Sequence, residues 1–220
     1  MTAGPVARSV LTGLALCVLL ALTATGAQAA PRRYTLDPGS SRLTIHVGKT
    51  GVFGFAGHQH EVVVGGFHGT ATFDPDRIER SIVDLTFEAG DLRVVGKGEP
   101  AGDPPQVEAA MIGSACLDAH RFPTVHFVSK TVEIVAAVAA VGGSAPAGLN
   151  LDLRGELTLH GVTRPRTIRV HLEVKGDALE ATGSTTVRQT DFGITPISKA
   201  GVVKVKDDLA LDWRIRGTAR

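Results

Sequence analysis

Asn150 to Lys175, NLDLRGELTLHGVTRPRTIRVHLEVK, is the stretch whose reading decides the fold. In its first arm Leu151, Leu153, Gly155, Leu157 and Leu159 fall on one parity, and Asp152, Arg154, Glu156, Thr158 and His160 on the other. Its second arm repeats the alternation, with Ile168, Val170, Leu172 and Val174 on one face and Thr167, Arg169, His171 and Glu173 on the other. A period of two with a short polar join predicts a long antiparallel hairpin with one oily face. That face must be covered, either by a second sheet or by the sheet curling closed on itself.

Outward from the hairpin the same alternation recurs. Tyr34 to Asp37 reads as a strand, Asp37-Pro38-Gly39-Ser40 as a turn, and Ser41 to Val47 as a second strand with Leu43, Ile45 and Val47 facing in. Gly48 to Gly57 is glycine-rich and carries Phe53 and Phe55, the composition of a rim. His60 to Phe73 places Val63, Gly65, Phe67, Ala71 and Phe73 on one parity and His68 on the other; Asp74-Pro75-Asp76 then turns the chain. Ser81 to Glu88 points Val83, Leu85 and Phe87 inward, and Leu92 to Val95 continues it past Gly90. Gln106 to Ile112 is the one helical stretch, with Asp103 as its expected N-cap, proline in the first turn and Gly113 as its stop. Strands return at His126 to Ile134, Leu179 to Val187 and Val202 to Arg216, the last keeping Trp213 on the apolar parity with a bend at Asp207. About eight strands joined mostly by hairpin-length connections, with a single short helix, predict an all-β, antiparallel up-and-down barrel.

The first 29 residues stand apart from this pattern. Arg8, the apolar run Val10 to Leu22 and the small-x-small Ala27-Gln28-Ala29 read as a secretory signal peptide, which leaves 30–220 as one exported domain, periplasmic or secreted. The run is shorter than the ~20 residues that span a bilayer, so no stable membrane insertion is expected after cleavage. Removing Arg8 leaves 22 basic and 22 acidic side chains, a balance without the cationic surplus that nucleic acid requires. Cys116 is then the only cysteine, and the core must stabilise the fold without an internal disulfide.

Four segments, taken in order, resemble the YceI-like family: Tyr34-Thr35-Leu36-Asp37-Pro38-Gly39-Ser40-Ser41, Arg121-Phe122-Pro123-Thr124-Val125-His126-Phe127, Gly155-Glu156-Leu157-Thr158-Leu159-His160-Gly161-Val162-Thr163 and Asp191-Phe192-Gly193-Ile194. The resemblance implies a lipocalin-like eight-stranded barrel whose interior holds a long-chain isoprenoid or similar lipid, with no cofactor required. Glu99 to Gln106 and Gly57-His58-Gln59-His60 depart from the family pattern.

With aromatics at only 5% and an inward set dominated by aliphatic side chains, the barrel is expected to be underfilled. The residues expected to face a ligand are Leu43, Ile45, Val47, Phe53, Phe55, Phe67, Phe73, Leu85, Phe87, Phe127, Leu157, Leu159, Ile168, Val170, Phe192 and Trp213. His58 and His60, two apart on an extended segment, form the alternative: a metal-handling pair, with His46 or His68 as a third ligand. A barrel packed solid, serving only to present loops, is the other alternative. No enzyme motif stands. Asp191-Phe192-Gly193 lacks the other kinase elements, Gly96-Lys97-Gly98 is followed by Pro100 in an all-β context, and Cys116 has no motif linking it to a base.

Overall fold

The computed structural model describes residues 30–50, 60–96, 102–139, 146–199 and 203–220. The signal segment 1–29 and Phe53, Phe55 and His58 lie outside the described residues. The strands are β1 (Arg32–Val47), β2 (Lys49–Thr50), β3 (His60–Val64), β4 (Phe67–Phe73), β5 (Ile82–Glu88), β6 (Leu92–Val95), β7 (Thr124–Ala139), β8 (Pro146–Leu159), β9 (Val162–Lys175), β10 (Ala178–Arg188), β11 (Ser198–Lys199), β12 (Val203–Val205) and β13 (Asp208–Ala219). Helix α1 (Asp103–Ile112) lies between β6 and β7.

Antiparallel pairing runs β1-β4-β5-β7-β8-β9-β10-β13 and returns to β1, which closes an eight-stranded barrel. The hairpin is β8 and β9, with Leu151 opposite Val170, Leu153 opposite Ile168 and Leu159 opposite Val162. Its two turn residues, His160 and Gly161, both have positive φ, 52° and 71°. That is the backbone hand that matches strand twist in a two-residue loop. Around the ring the inward residues converge on a core that includes Tyr34, Phe127, Val132, Leu153 and Leu172.

The structure corrects four local expectations. Asp37-Pro38-Gly39-Ser40 does not reverse the chain; it is a bulge inside β1, since Asp37 pairs with Arg216 and Arg42 with Arg214 of the same β13. The extra residues are held outside the ladder by the Asp37 carboxylate, which accepts from the Gly39 amide at 2.9 Å and the Ser40 hydroxyl at 2.6 Å, while Ser41 Oγ accepts the Arg216 amide at 2.9 Å. Inward parity also changes between β3 and β4. Val62, not Val63, is buried in the upper core. At the junction the Gly65 amide donates to Asp91 O at 2.8 Å, and a Cβ on Gly65 would stand 2.6 Å from that same oxygen. The expected final strand is two elements. β12 leaves the barrel to pair with β11 and β2 in a small sheet, and Asp207 instead accepts from the amide and hydroxyl of Thr190 at 2.9 and 2.6 Å. Finally, Gly102 caps α1 and Asp103 is its first residue, where its charge suits the helix dipole; Gly113 ends the helix as expected.

Several carboxyls on the outer surface are held below their ordinary range. Asp152 is stabilised as the anion by hydrogen bonding to Arg169, Glu173 by Lys175, Asp37 by Ser40 and Gly39, and Asp207 by Thr190. A lowered folded pKa contributes stability above the unfolded value, about 4, and that contribution is lost as pH falls through the folded value. Each exposed ion pair is worth little. The melting temperature is therefore expected to fall modestly and progressively below about pH 4. Part of the fall should survive high salt, because Asp37 and Asp207 are held by hydroxyl and amide donors that salt does not screen. A melting temperature unchanged between about pH 5 and pH 2 contradicts this assignment.

Candidate functional site

The barrel encloses a cavity of ≈ 810 Å³. This is about five times the size of the ~150 Å³ apolar voids that stay dry in protein cores, and within the ~300–1,000 Å³ of small-molecule sites. Its wall reaches from Leu36 and Phe73 near the lower end to Val47 and Leu209 near the upper end. The solid-core alternative is therefore not what these side chains build.

Of the residues expected from the sequence, Leu43, Ile45, Val47, Phe73, Leu85, Phe87, Phe127, Leu157, Leu159, Ile168, Val170 and Trp213 line this cavity. Phe67 and Phe192 do not. Phe67 packs against the main core, and Phe192, fully buried, belongs to a separate cluster with Val187 and Ile194. Phe192 sits in the turn after β10, where the Arg166 guanidinium stacks 5.3 Å from its ring centroid, so its bulk anchors the turn outside the lumen.

Helix α1 lies at the upper end, and the sequence reading missed it as part of the wall. Val107, Ala110 and Met111, spaced i, i+3, i+4, line the cavity beside Cys116 and Leu117. Glu108 ties the helix to the barrel by accepting the Val94 amide of β6 at 2.8 Å, which covers a backbone donor that an edge strand would otherwise expose. Burial pushes the Cys116 thiol above its ordinary pKa, which keeps it protonated and a poor nucleophile.

Polar groups are a minority on this wall. Lys49, His60, Asp103 and Gln106 come from the elements around the upper opening, Thr185, Ser198, Arg166 and Gln189 also line it, and Thr72 and Ser81 lie at the other end. The signal for Arg166 was present: it falls on the parity of Ile168 and Val170, opposite the buried Gly155. His60 faces the lumen, whereas His46 pairs with Asp212 and Glu61 on the outer face and His68 is exposed on β4. The outward direction of both rings is why neither completes a site with His60. Among the described residues no group of three or more His, Cys, Asp or Glu side chains is placed to hold a metal ion.

An antiparallel eight-stranded cylinder, hollow along its axis and crossed at one end by a helix, defines a lipocalin-like barrel. The YceI-like domain matches residues 34–216, and the chain belongs to that family. Among solved structures it is similar to BcnA of Burkholderia cenocepacia, at 17% identity and a TM-score of 0.61, covering 83% of this chain and 99% of that one. It is also similar to a polyisoprenoid binding domain from Saccharophagus degradans implicated in plant cell wall breakdown, at 11% identity and a TM-score of 0.59, covering 85% and 98%. The YceI protein of Campylobacter jejuni matches at 14% identity and a TM-score of 0.55, covering 72% and 84%. No curated protein matches the sequence.

Proposed function

We propose that this protein is an exported, non-enzymatic carrier that holds one long-chain isoprenoid or similar lipid inside its barrel. The observation that carries the reading is the ≈ 810 Å³ hollow, bounded over most of its length by aliphatic side chains. Burial of each ligand methylene contributes about 0.8 kcal/mol, so about ten methylenes supply ~8 kcal/mol before the cost of association. Chain length then governs affinity more than any single contact. The polyisoprenoid binding domain of similar fold supports this class of guest. Export follows from the signal-peptide pattern of Val10 to Leu22 and Ala27-Gln28-Ala29. No helix among the described residues is long and apolar enough to cross a membrane.

Organic extraction of gently purified, folded protein followed by mass spectrometry tests the proposal. The expected result is one dominant isoprenoid-type lipid near one equivalent per chain. A lipid-free extract, from protein that also fails to take up added C20 or longer isoprenoids, overturns it.

A further inference from the structure

One part of the barrel breaks the rule of oily side inward and polar side outward: the lower part of the β7–β8 pair. Among the described residues no strand pairs with β7 on the β5 side past Val128, and β9 leaves β8 at Leu149, while β7 and β8 continue together to Ala139 and Pro146. The two strands therefore extend beyond the ring as an arm. At its base they carry matched cross-strand ion pairs, Lys130 with Glu156 at 3.2 Å and Arg154 with Glu133 at 2.9 Å. Charge stops there. Residues 134–151 have no charged side chain, in a chain that is 20% charged. Ile134 is 54% exposed and Val135 47%, and Ala136 and Ala137 after them are exposed as well. Val135 is the extra residue of a bulge, since Ile134 pairs with Leu151 and Ala136 with Asn150. Leu151 lines the cavity, so the apolar wall of the lumen continues past the rim onto Ile134. Ile82, 49% exposed, begins β5 at the same end, opposite Thr72 of β4.

We propose that this arm docks the protein on the surface of a lipid bilayer, reversibly and at head-group depth, whatever guest the lumen holds. Size and composition choose lipid over a protein partner. A stable protein interface takes about 20–30 residues a side and centres on Trp, Tyr or Arg anchors. The exposed apolar patch here is Ile82 and Ile134 to Ala137, and residues 134–151 contain none of those three residue types. An apolar strand edge left in water is a liability, and burial at a lipid surface relieves it. The backbone sets the depth. Outward amides and carbonyls on the free edge of β7 have no strand partner, and hydrocarbon cannot satisfy them, so the edge stays in the hydrated interface while the side chains of Ile134 and Val135 dip below it. Because the ion pairs at the base are matched, apolar burial drives docking and lipid charge does not. The line from Leu151 to Ile134 sets the docked surface at the lower end of the lumen.

Sedimentation of the whole mature protein with phosphatidylcholine vesicles, with and without phosphatidylglycerol, tests this. The parent is expected to partition onto both, with anionic lipid or high salt changing the partition by less than about twofold. Ile134→Asp combined with Val135→Asp should reduce it at least about tenfold, because two charges replace the apolar contact. Ile112→Asp, at an exposed apolar position on α1 away from the arm, should change it by less than about twofold. If the double variant fails circular dichroism as a folding check, Val135→Ser alone carries the comparison. Parent protein that stays in the supernatant with both vesicles overturns the proposal, as does a double variant that sediments like the parent. Binding only to vesicles with phosphatidylglycerol, reversed by salt, overturns it too, since that is attraction to charge. A dimer in light scattering that Val135→Asp returns to monomer also overturns it and makes the arm an interface between copies. The readout is protein on vesicles, not lipid in the lumen, so every one of these results leaves the extraction test of the carrier reading intact.

Discussion

Val170→Arg is expected to yield a folded barrel that copurifies with at least about tenfold less lipid than the parent. Val170 is 6% exposed, faces Leu151 across the β8–β9 ladder and lines the cavity midway along β9. An arginine stem there occupies the path of about four ligand methylenes, roughly 3 kcal/mol of lost burial, and places a cation against the remainder. The hollow gives the new side chain room, so the variant need not overpack a solid core. Ala181→Trp, which fills the same lumen from β10 without adding charge, should act in the same direction and separates occupancy from polarity. Leu157→Arg, nearer the helix, should also reduce bound lipid. Full lipid content in folded Val170→Arg protein would contradict a lumen-bound guest, whatever the lipid is.

Gly155→Ala is expected to destabilise the fold by about 3 kcal/mol or more, measured by chemical denaturation. A Cβ at this position would stand 2.2 Å from Val128 O and 2.8 Å from Ser129 Cα, both backbone atoms of β7 that cannot swing aside as a side chain could. The close approach belongs to the register shift between Ser129 and Thr131, where β7 bulges against β8. Two other glycines calibrate the effect. At Gly176 nothing lies within 4 Å but φ is +58°, so alanine should cost about 1 kcal/mol of left-handed strain. Gly90 has open space and no positive φ, so alanine should be close to neutral. A Gly155→Ala variant as stable as Gly90→Ala would show that β7 yields freely and that the bulge does not fix the hairpin against it.

The Gly155 result bears on how a barrel of this kind is specified. Alternation alone placed Leu151, Leu153 and Leu159 inside, and it also put Gly155 on that face, but it gave no reason for a glycine there. The reason is a neighbour, β7, the preceding strand in the chain, whose bulge after Ser129 sets a register that the alternation within β8 does not encode. The same limit explains the error at Val63. Alternation runs unbroken through Gly65-Gly66 in the sequence, whereas Asp91 draws the Gly65 backbone aside and exchanges the faces of the two halves. Asp37 to Ser40 is ambiguous in sequence for a related reason. The residues that make a turn also make a bulge, and only the strand on the far side, β13, distinguishes them.

By itself the sequence determined the strand character of the chain, the inward face of many of the residues that line the cavity, the hairpin with its short join and the helix after the polar loop. Each follows from spacing within a few residues: a period of two, a short join between two alternating arms, prolines in the first turn of α1. Only the tertiary structure decided that β13 returns to β1 to close the ring, that α1 contributes to the cavity wall, that His46 and His68 point away from His60, and that Arg166 is an inward cation matched by Asp191. The physical reason is common to all four. Facing direction is set along a strand by its own pleat, but what a side chain meets is set by partners tens to more than a hundred residues away, and local periodicity carries no information about them.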